Sequence, residues 1–448
     1  MPTSSAVVNG GMRSSRSRPP GLYVEFRSPA EPLDAGALRG MPAFVALGRP
    51  HPATAQRTAV QTFELDYWPP RSNAPDEALP QPAEGSHLGA ALQGYFANGG
   101  RHCLAVTVHA DAPPSVAATA APEAWVRALT QVFETGSVLD DRSDIHLVCV
   151  PDAAHAAIAA DCGAVLDIQR AALAHCERMG DRFALLDAWM GDCTDEGALL
   201  RHGLAASTEL RSAYGALYAP WVLNNPARLA NSADAPGAEQ WRASGGRTAT
   251  AGALQPRLVP PCGHIAGLMA RLDAQAGPQR APANLLLDDA LDTAAALKPT
   301  TRALLNEAGI NALHAVRGAG VRVGGARTRS GQPGWLYIST VRVVLEFKRW
   351  IAARMADLAF EPNGPGLQAV IRTRLVLHCL ALQLSGALAG RDPSEAFFVK
   401  CDDETNPPSQ QDLGRVIAHV GLAPTLPAEF IVIRVVREAN GFDVGRLS

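Results

Sequence analysis

Hydrophobic and polar positions follow two rhythms along this chain. Near its start Leu22, Val24 and Phe26 alternate with Tyr23, Glu25 and Arg27, the period of a strand with one buried face. Ala43 to Leu47 is a second strand candidate, and the residues from 50 to 82, with seven prolines, read mainly as irregular connection. From residue 87 the rhythm turns helical, because Leu88, Ala91, Leu92, Tyr95 and Phe96 share a helix face and Asn98-Gly99-Gly100 supplies the stop. Strand and helix then alternate: a strand over Leu104 to Val108, a helix near Glu123 to Phe133, a strand over Ile145 to Val150, a helix over Asp161 to Met179, a strand over Arg182 to Leu186 and a strand near Gly215 to Leu223. A loop rich in Ala, Ser and Gly, Asn231 to Gly252, interrupts this order before a helix around Ile265 to Leu272 and strands at Asn311 to Val316 and Gly320 to Val323.

That order predicts an α/β fold, a mainly parallel sheet with helices on both faces. After Gly331 two long helices, Thr340 to Met355 and Leu367 to Leu388, point to a second, α+β domain. It ends in Phe430, Ile431, Val432, Ile433, Arg434, Val435 and Val436, apolar on both alternating faces and therefore a strand covered on both sides. The first of these helices puts Val344, Phe347, Ile351 and Met355 on one face and Arg342, Glu346 and Arg349 on another, which reads as a solvated charged side or a basic contact surface.

The 448 residues leave room for two to four domains, with 47% hydrophobic and 19% charged positions. A formal charge of −3, from 40 basic and 43 acidic side chains, argues against a protein built to grip nucleic acid. The first twenty residues lack the apolar core of a secretory signal and read as a free tail, and the apolar runs fall short of a membrane span. The expectation is a soluble protein made in the cytoplasm.

Chemistry is sparse. Eight cysteines include no CxxC pair, and the adjacent His-Cys residues at 102–103, 175–176 and 378–379 cannot jointly ligate one ion. Cys262-Gly263-His264 opens a helix and is the best nucleophile candidate, against the alternative of a tight turn with a buried thiol. Gly318 to Gly325 lacks the spacing of a phosphate loop, and Asp402-Asp403-Glu404 lacks the spacing of a calcium loop. No cofactor is expected.

A longer run of short motifs is more specific than any of these. Pro20-Gly21-Leu22-Tyr23-Val24-Glu25, Asn98-Gly99-Gly100-Arg101, Val259-Pro260-Pro261-Cys262-Gly263-His264-Ile265-Ala266-Gly267, Leu305-Asn306-Glu307-Ala308-Gly309-Ile310-Asn311, Gly325-Ala326-Arg327-Thr328, Phe360-Glu361-Pro362-Asn363, Ala396-Phe397-Phe398-Val399-Lys400 and Pro427-Ala428-Glu429-Phe430 follow one another in order. This series, over about residues 20 to 438, resembles the contractile tail sheath family of bacteriophages and related injection systems. The chain departs from the family's usual residues at Gly324, at Cys262 and at Gln279-Arg280.

The resemblance implies a structural subunit with a subtilisin-like central domain, in which the fold name carries no protease activity. It implies an N-terminal arm and strand over 1–27, a loop-rich segment over 28–110, the α/β domain over 111–330, an α+β domain over 331–429 and a C-terminal arm over 430–448. Leu22, Tyr23, Val24, Glu25 and Phe26, and Phe430 to Val436, would then add as strands to neighbouring copies, with Arg342, Glu346 and Arg349 as a contact to an inner tube. The implied partners are further copies in a helical array of stacked hexameric rings, the inner tube, baseplate and terminal cap proteins and possible sheath paralogues, without nucleic acid or membrane insertion. A thiol hydrolase using Cys262 and His264, or a cap or baseplate component that binds the sheath end, stand as alternatives.

Overall fold

The computed structural model describes residues 40–49, 60–68, 79–109, 121–189, 196–225, 256–425, 430–438 and 441–446. Residues 38–448 form one compact unit. Its strands and helices begin with β1 (Met41–Leu47), β2 (Val60–Leu65), α1 (Leu88–Ala97), β3 (Cys103–Val108), α2 (Ala121–Gln131), β4 (Ile145–Cys149), α3 (Cys162–Met179) and β5 (Phe183–Asp187). There follow α4 (Glu196–Glu209), β6 (Gly215–Ala219), β7 (Val222–Asn224), β8 (Leu258–Val259), α5 (Cys262–Gln275), β9 (Leu286–Leu287), β10 (Ala290–Thr293) and α6 (Pro299–Glu307). The hairpin β11 (Ile310–Val316) and β12 (Gly320–Val323) precedes α7 (Ile338–Arg354) and α8 (Pro365–Leu384). Last come β13 (Phe397–Lys400), β14 (Val416–Leu422), β15 (Ile431–Glu438) and β16 (Gly441–Arg446).

Nine strands make the main sheet in the order β2-β3-β1-β4-β5-β6-β11-β12-β9. The six from β3 to β11 run parallel, while β2 and the β12-β9 pair are antiparallel edges. Continuous apolar strands are what such a sheet demands, and all seven residues of β1 are buried. Phe44 and Ala46 face one core with Leu88, Leu92, Ile265 and Leu268, whereas Ala43, Val45 and Leu47 face the other with Leu129, Leu166, Leu173 and Leu305. Helices α1 and α5 thus cover one face, and α2, α3, α4 and α6 the opposite one.

Local chemistry sets the boundaries. Asp161 caps α3 by accepting the Gly163 N–H at 2.9 Å, and Gly180 ends the helix with φ of 67°, a left-handed conformation natural only to glycine. Helices α1 and α5 lie almost backbone to backbone, because a methyl group on Gly263 would sit 2.1 Å from the Ala91 carbonyl oxygen and one on Gly267 2.2 Å from that of Tyr95.

Three expectations change. The proline-rich segment contains β2, a half-buried edge strand paired antiparallel with β3 over six residues. The single strand expected near 215–223 is two, since Pro220 interrupts the run and β7 joins β8 and β10 in a separate three-stranded sheet. Helix α4 carries no strong apolar stripe and does not show in the periodicity. The strand at 22–27 and the loop at 231–252 lie outside the described residues.

The part after residue 331 shares its core with the central sheet. Val341, Val344, Phe347 and Ile351 of α7 belong to the same buried cluster as Phe44 and Ile265, and so do Leu367, Ile371 and Leu375 of α8 and Val420 and Ile433 of the last sheet.

Candidate assembly interface

In an open α/β sheet the carboxyl ends of the parallel strands are where active sites form. Here the ends of β4 and β5 are filled by buried carboxyl groups that serve the backbone. Asp152, just beyond β4, is fully buried and accepts the Leu47 N–H at 2.7 Å, the His87 N–H at 2.6 Å and the Ser86 hydroxyl at 2.7 Å. Asp187, the last residue of β5, accepts the Cys262 N–H at 2.8 Å, and burial pushes its carboxyl up to about 7. Both carboxylates therefore satisfy orphan N–H groups at helix and turn starts.

The Cys262 thiol is fully buried, and burial, then Cys149 and Asp187, hold it well above the ordinary thiol range. A reactive cysteine needs the opposite environment. His264 points elsewhere, packed on Gly94 with Nε2 3.8 Å from Asp289 Oδ2, and burial lowers it to about 4. Gly263 is explained by the close approach to α1, so this tripeptide is a helix-packing motif and the thiol hydrolase reading loses its nucleophile and base.

The charged face of α7 also turns inward. Arg342 is only 4% exposed and pairs with Asp273 of α5, whose carboxylate lies 4.0 Å from His146 Nε2 of β4. Arg349 pairs with Glu346 at 2.5 Å and donates to the Asp181 carbonyl at 3.1 Å. These residues form a polar joint between α7 and the central unit, with Arg342 buried and Glu346 and Arg349 partly exposed. A 3.6-residue pattern places charges on one side of a helix but does not distinguish water from a polar neighbour. Beyond the joint, Trp350 of α7 stacks on His378 of α8 at 3.8 Å, with the ring planes 5° apart.

The last sheet has the order β13-β14-β15-β16, antiparallel throughout. Val416, Ala418, Val420 and Leu422 of β14 and Ile431, Ile433 and Val435 of β15 face the shared core. Asn406 fixes the loop before β14 by accepting the Ile417 N–H at 2.6 Å and donating to its carbonyl at 2.9 Å. Arg437 anchors β15 by donating to the carbonyls of Gly414 at 2.9 Å and Glu361 at 2.8 Å.

Residues Ile431 to Val436, read from the sequence as a lent arm, stand in this chain as the third strand of its own sheet, paired with β14 over seven residues and with β16 on the other side. Phe430 precedes the strand and is 44% exposed. Leu22, Tyr23, Val24, Glu25 and Phe26 lie outside the described residues. The outer ladders of β13 and β16 carry no partner among the described residues. Large apolar side chains stay exposed around this sheet: Phe360, Val370, Leu377, Leu384, Phe398, Leu413 and Phe430. Such a concentration marks an interaction surface rather than a finished one. Sequence reasoning found Phe430 but not the helix stripe Val370, Leu377 and Leu384, whose spacing of seven was the available signal.

Comparison with known proteins accounts for this layout. Residues 143–329 match the family model described as the phage tail sheath protein central domain. No curated protein matches the sequence. Among solved structures, the chain is similar to one of the anti-feeding prophage helical sheath in its contracted state, with 26% identity over 92% of this chain and 97% of that one and a TM-score of 0.62. It is also similar to a chain of the contracted anti-feeding prophage baseplate, with 22% identity, coverage of 92% and 96% and a TM-score of 0.65. A third is the contracted sheath complex of PVC, an extracellular contractile injection system, with 21% identity, coverage of 93% and 97% and a TM-score of 0.61. Residues 143–329 thus correspond to a phage tail sheath central domain, set in a fold similar to that of a contracted sheath over nearly the whole length of the chain.

Proposed function

We propose that this protein is the repeating subunit of a contractile sheath, polymerising helically around an inner tube in stacked hexameric rings and shortening to drive that tube through a target envelope. The observation that carries the reading is the match to a contracted helical sheath over 92% of the chain, more than twice the length of the central domain alone. It works as part of a phage tail or an extracellular injection particle, with baseplate and cap proteins at the sheath ends and synthesis in the cytoplasm.

Chain ends do the joining. Residues 22–26 of one copy add to an open ladder of the last sheet in the next, and the terminal strands, held in this chain by its own β14, make the same ladder with a neighbour. Exchange of an identical element forms the same hydrogen bonds in either setting, so the balance rests on the entropy of association and on hinge strain. Four or five buried aliphatic side chains at about 1.5 to 3 kcal/mol each give a gross gain on the order of 10 kcal/mol, much of it offset by about 1 to 2 kcal/mol per ordered residue. Repetition through the array makes such modest links durable, and contraction from a metastable assembled state needs no nucleotide.

Negative-stain electron microscopy of the purified full-length protein tests this. Tubes or stacked rings are the expected result. Isolated single rings would favour a cap or baseplate component, and particles that stay monomeric at every concentration would overturn the sheath reading.

A further inference from the structure

The segment Phe360-Glu361-Pro362-Asn363 mounts one aromatic ring on a braced loop. Arg437 of β15 is 7% exposed and has no carboxylate partner among the described residues. Its guanidinium donates to the carbonyls of Ala359 and Glu361, on either side of Phe360, and to that of Gly414. Asn363 donates to the carbonyls of Gln411 and Arg415, each at 3.2 Å. A buried guanidinium held by carbonyls alone is a costly brace. The ring it holds in place, Phe360, is 90% exposed and returns almost nothing to the chain's own core. Charges on neighbouring residues are already matched, Asp357 with Arg374 at 2.7 Å and Glu438 with Arg415 at 2.9 Å. An aromatic centre inside a neutralised polar rim has the anatomy of a binding hot spot.

A receptacle for such a ring lies at the other end of the β15–β16 hairpin. Arg437 stands opposite Phe442 at one end, and Ile433 opposite Arg446 at the other. There, where the central unit meets α7 and the last sheet, a cavity of about 480 Å³ is lined by the buried side chains of Trp335, Val344 and Ile433, with the exposed Gly331 at its border. Lys348 in its wall lies 5.8 Å over the Tyr214 ring and has no carboxylate partner among the described residues. The acid at this site, Glu177, already accepts the Ser212 hydroxyl at 2.5 Å. The volume takes an aromatic ring, and the lysine adds a cation–π contact to a ring that enters. The groove at the β9–β10 turn, bordered by Asp288, Asp289 and Asp292, has no aromatic lining and does not suit one.

We propose that Phe360 of one copy inserts into the Trp335-Val344-Ile433 cavity of a second copy of this chain. Both halves of the contact are present on the one sequence, which makes a second copy the occupant. Ring and cavity are different surfaces, so a copy that receives one ring still has its own to give, and the contact runs head to tail. Glu361, exposed and outside the ion pairs of the described residues, enters beside the ring towards the wall that carries Lys348. The proposal rests on the sheath reading, which supplies the second copy, and adds a knob and a hole to the strand ladders.

A double-mutant cycle in the full-length protein tests it. Phe360→Ala removes the knob, and Gly331→Trp blocks the hole from a position where an added methyl group meets no atom within 4 Å. Each should raise the critical concentration for polymerisation by about tenfold or more. The double variant should stay within about threefold of the worse single, because both changes remove the same contact. Both positions are exposed, so unchanged melting of the monomers confirms that folding is not the cause. Single variants that polymerise like the parent, or two effects that multiply in the double variant, would overturn the insertion. Variants that assemble normally but no longer enclose inner tubes isolated from producing cells would assign Phe360 to the tube and overturn it too. A parent protein that never polymerises would instead bring down the sheath reading and this one with it.

Discussion

Gly263 of α5 faces Ala91 of α1 so closely that a single added methyl group would lie 2.1 Å from the Ala91 carbonyl oxygen. Helix propensity alone would make Gly263→Ala stabilising. The contact reverses the sign, because neither backbone can give way without reopening the core between the helices. Gly263→Ala and Gly267→Val should therefore each destabilise the protein by about 1 to 3 kcal/mol. Gly331→Ala, where no atom stands within 4 Å, should be nearly neutral. Thermal melts of the three variants check the contrast.

Arg342 and Asp273 are the ionic centre of the joint between α7 and the central unit. Removing one partner leaves the other buried without compensation, so Arg342→Met should cost about 3 to 5 kcal/mol. Arg342→Met combined with Asp273→Leu should recover most of that loss. Denaturant titration of the single and double variants separates an ion pair from simple packing, for which the two losses would add.

Acid should weaken the fold through its buried histidines before the ordinary carboxylates titrate. Burial lowers His264 to about 4, and burial followed by Arg182 and Arg178 lowers His175 to about 4. Burial alone lowers His378 to about 3. Unfolded, each ring takes a proton near pH 6.5. Below that pH the unfolded chain binds more protons at these rings than the native one, so their share of the stability is complete above about 6.5 and declines as pH falls towards 4. For the fully buried rings of His175 and His264 the slope is about 1.4 kcal/mol per pH unit each. His378→Phe, which keeps a ring against Trp350, should flatten the curve between pH 7 and 5 in denaturant titrations.

Thiol reactivity should follow exposure and not position at a helix start. Cys162 is half-exposed, whereas Cys103, Cys149, Cys176, Cys262 and Cys379 are buried. Iodoacetamide at pH 8 should modify Cys262 at least about tenfold more slowly than Cys162 in the native protein, and at a similar rate after unfolding. Peptide mass mapping over time measures both.

Deleting residues 1–27 should abolish polymerisation and leave a folded monomer, since the compact unit begins at Leu38. Electron microscopy shows the first outcome and circular dichroism the second. Normal tubes from the truncated protein would remove the N-terminal strand from the mechanism.

Much of the architecture was legible because strands such as β1 and β3 are buried on both sides and helices such as α3 carry caps and stops in their own residues. Strand β2 was hidden by prolines around a half-exposed edge, and β7 by the apolar continuity of a run that Pro220 divides between two sheets. The charges of α7 were placed correctly on one side of the helix, but what lay against them came from α5 and β4, far away in the sequence. The cross-strand neighbours of the last sheet were illegible for a similar reason. Lys400, His419 and Arg434 become neighbours only through the register of two ladders, which no local pattern encodes.

The last sheet leaves its two outermost strands, β13 and β16, without a ladder partner among the described residues. An object with a valence of two can be threaded into a string or bent into a hoop, and nothing more. A cylinder wall also has to be bonded across the string, so whatever gives it that second dimension must come from the flat sides of the molecule rather than from its hems.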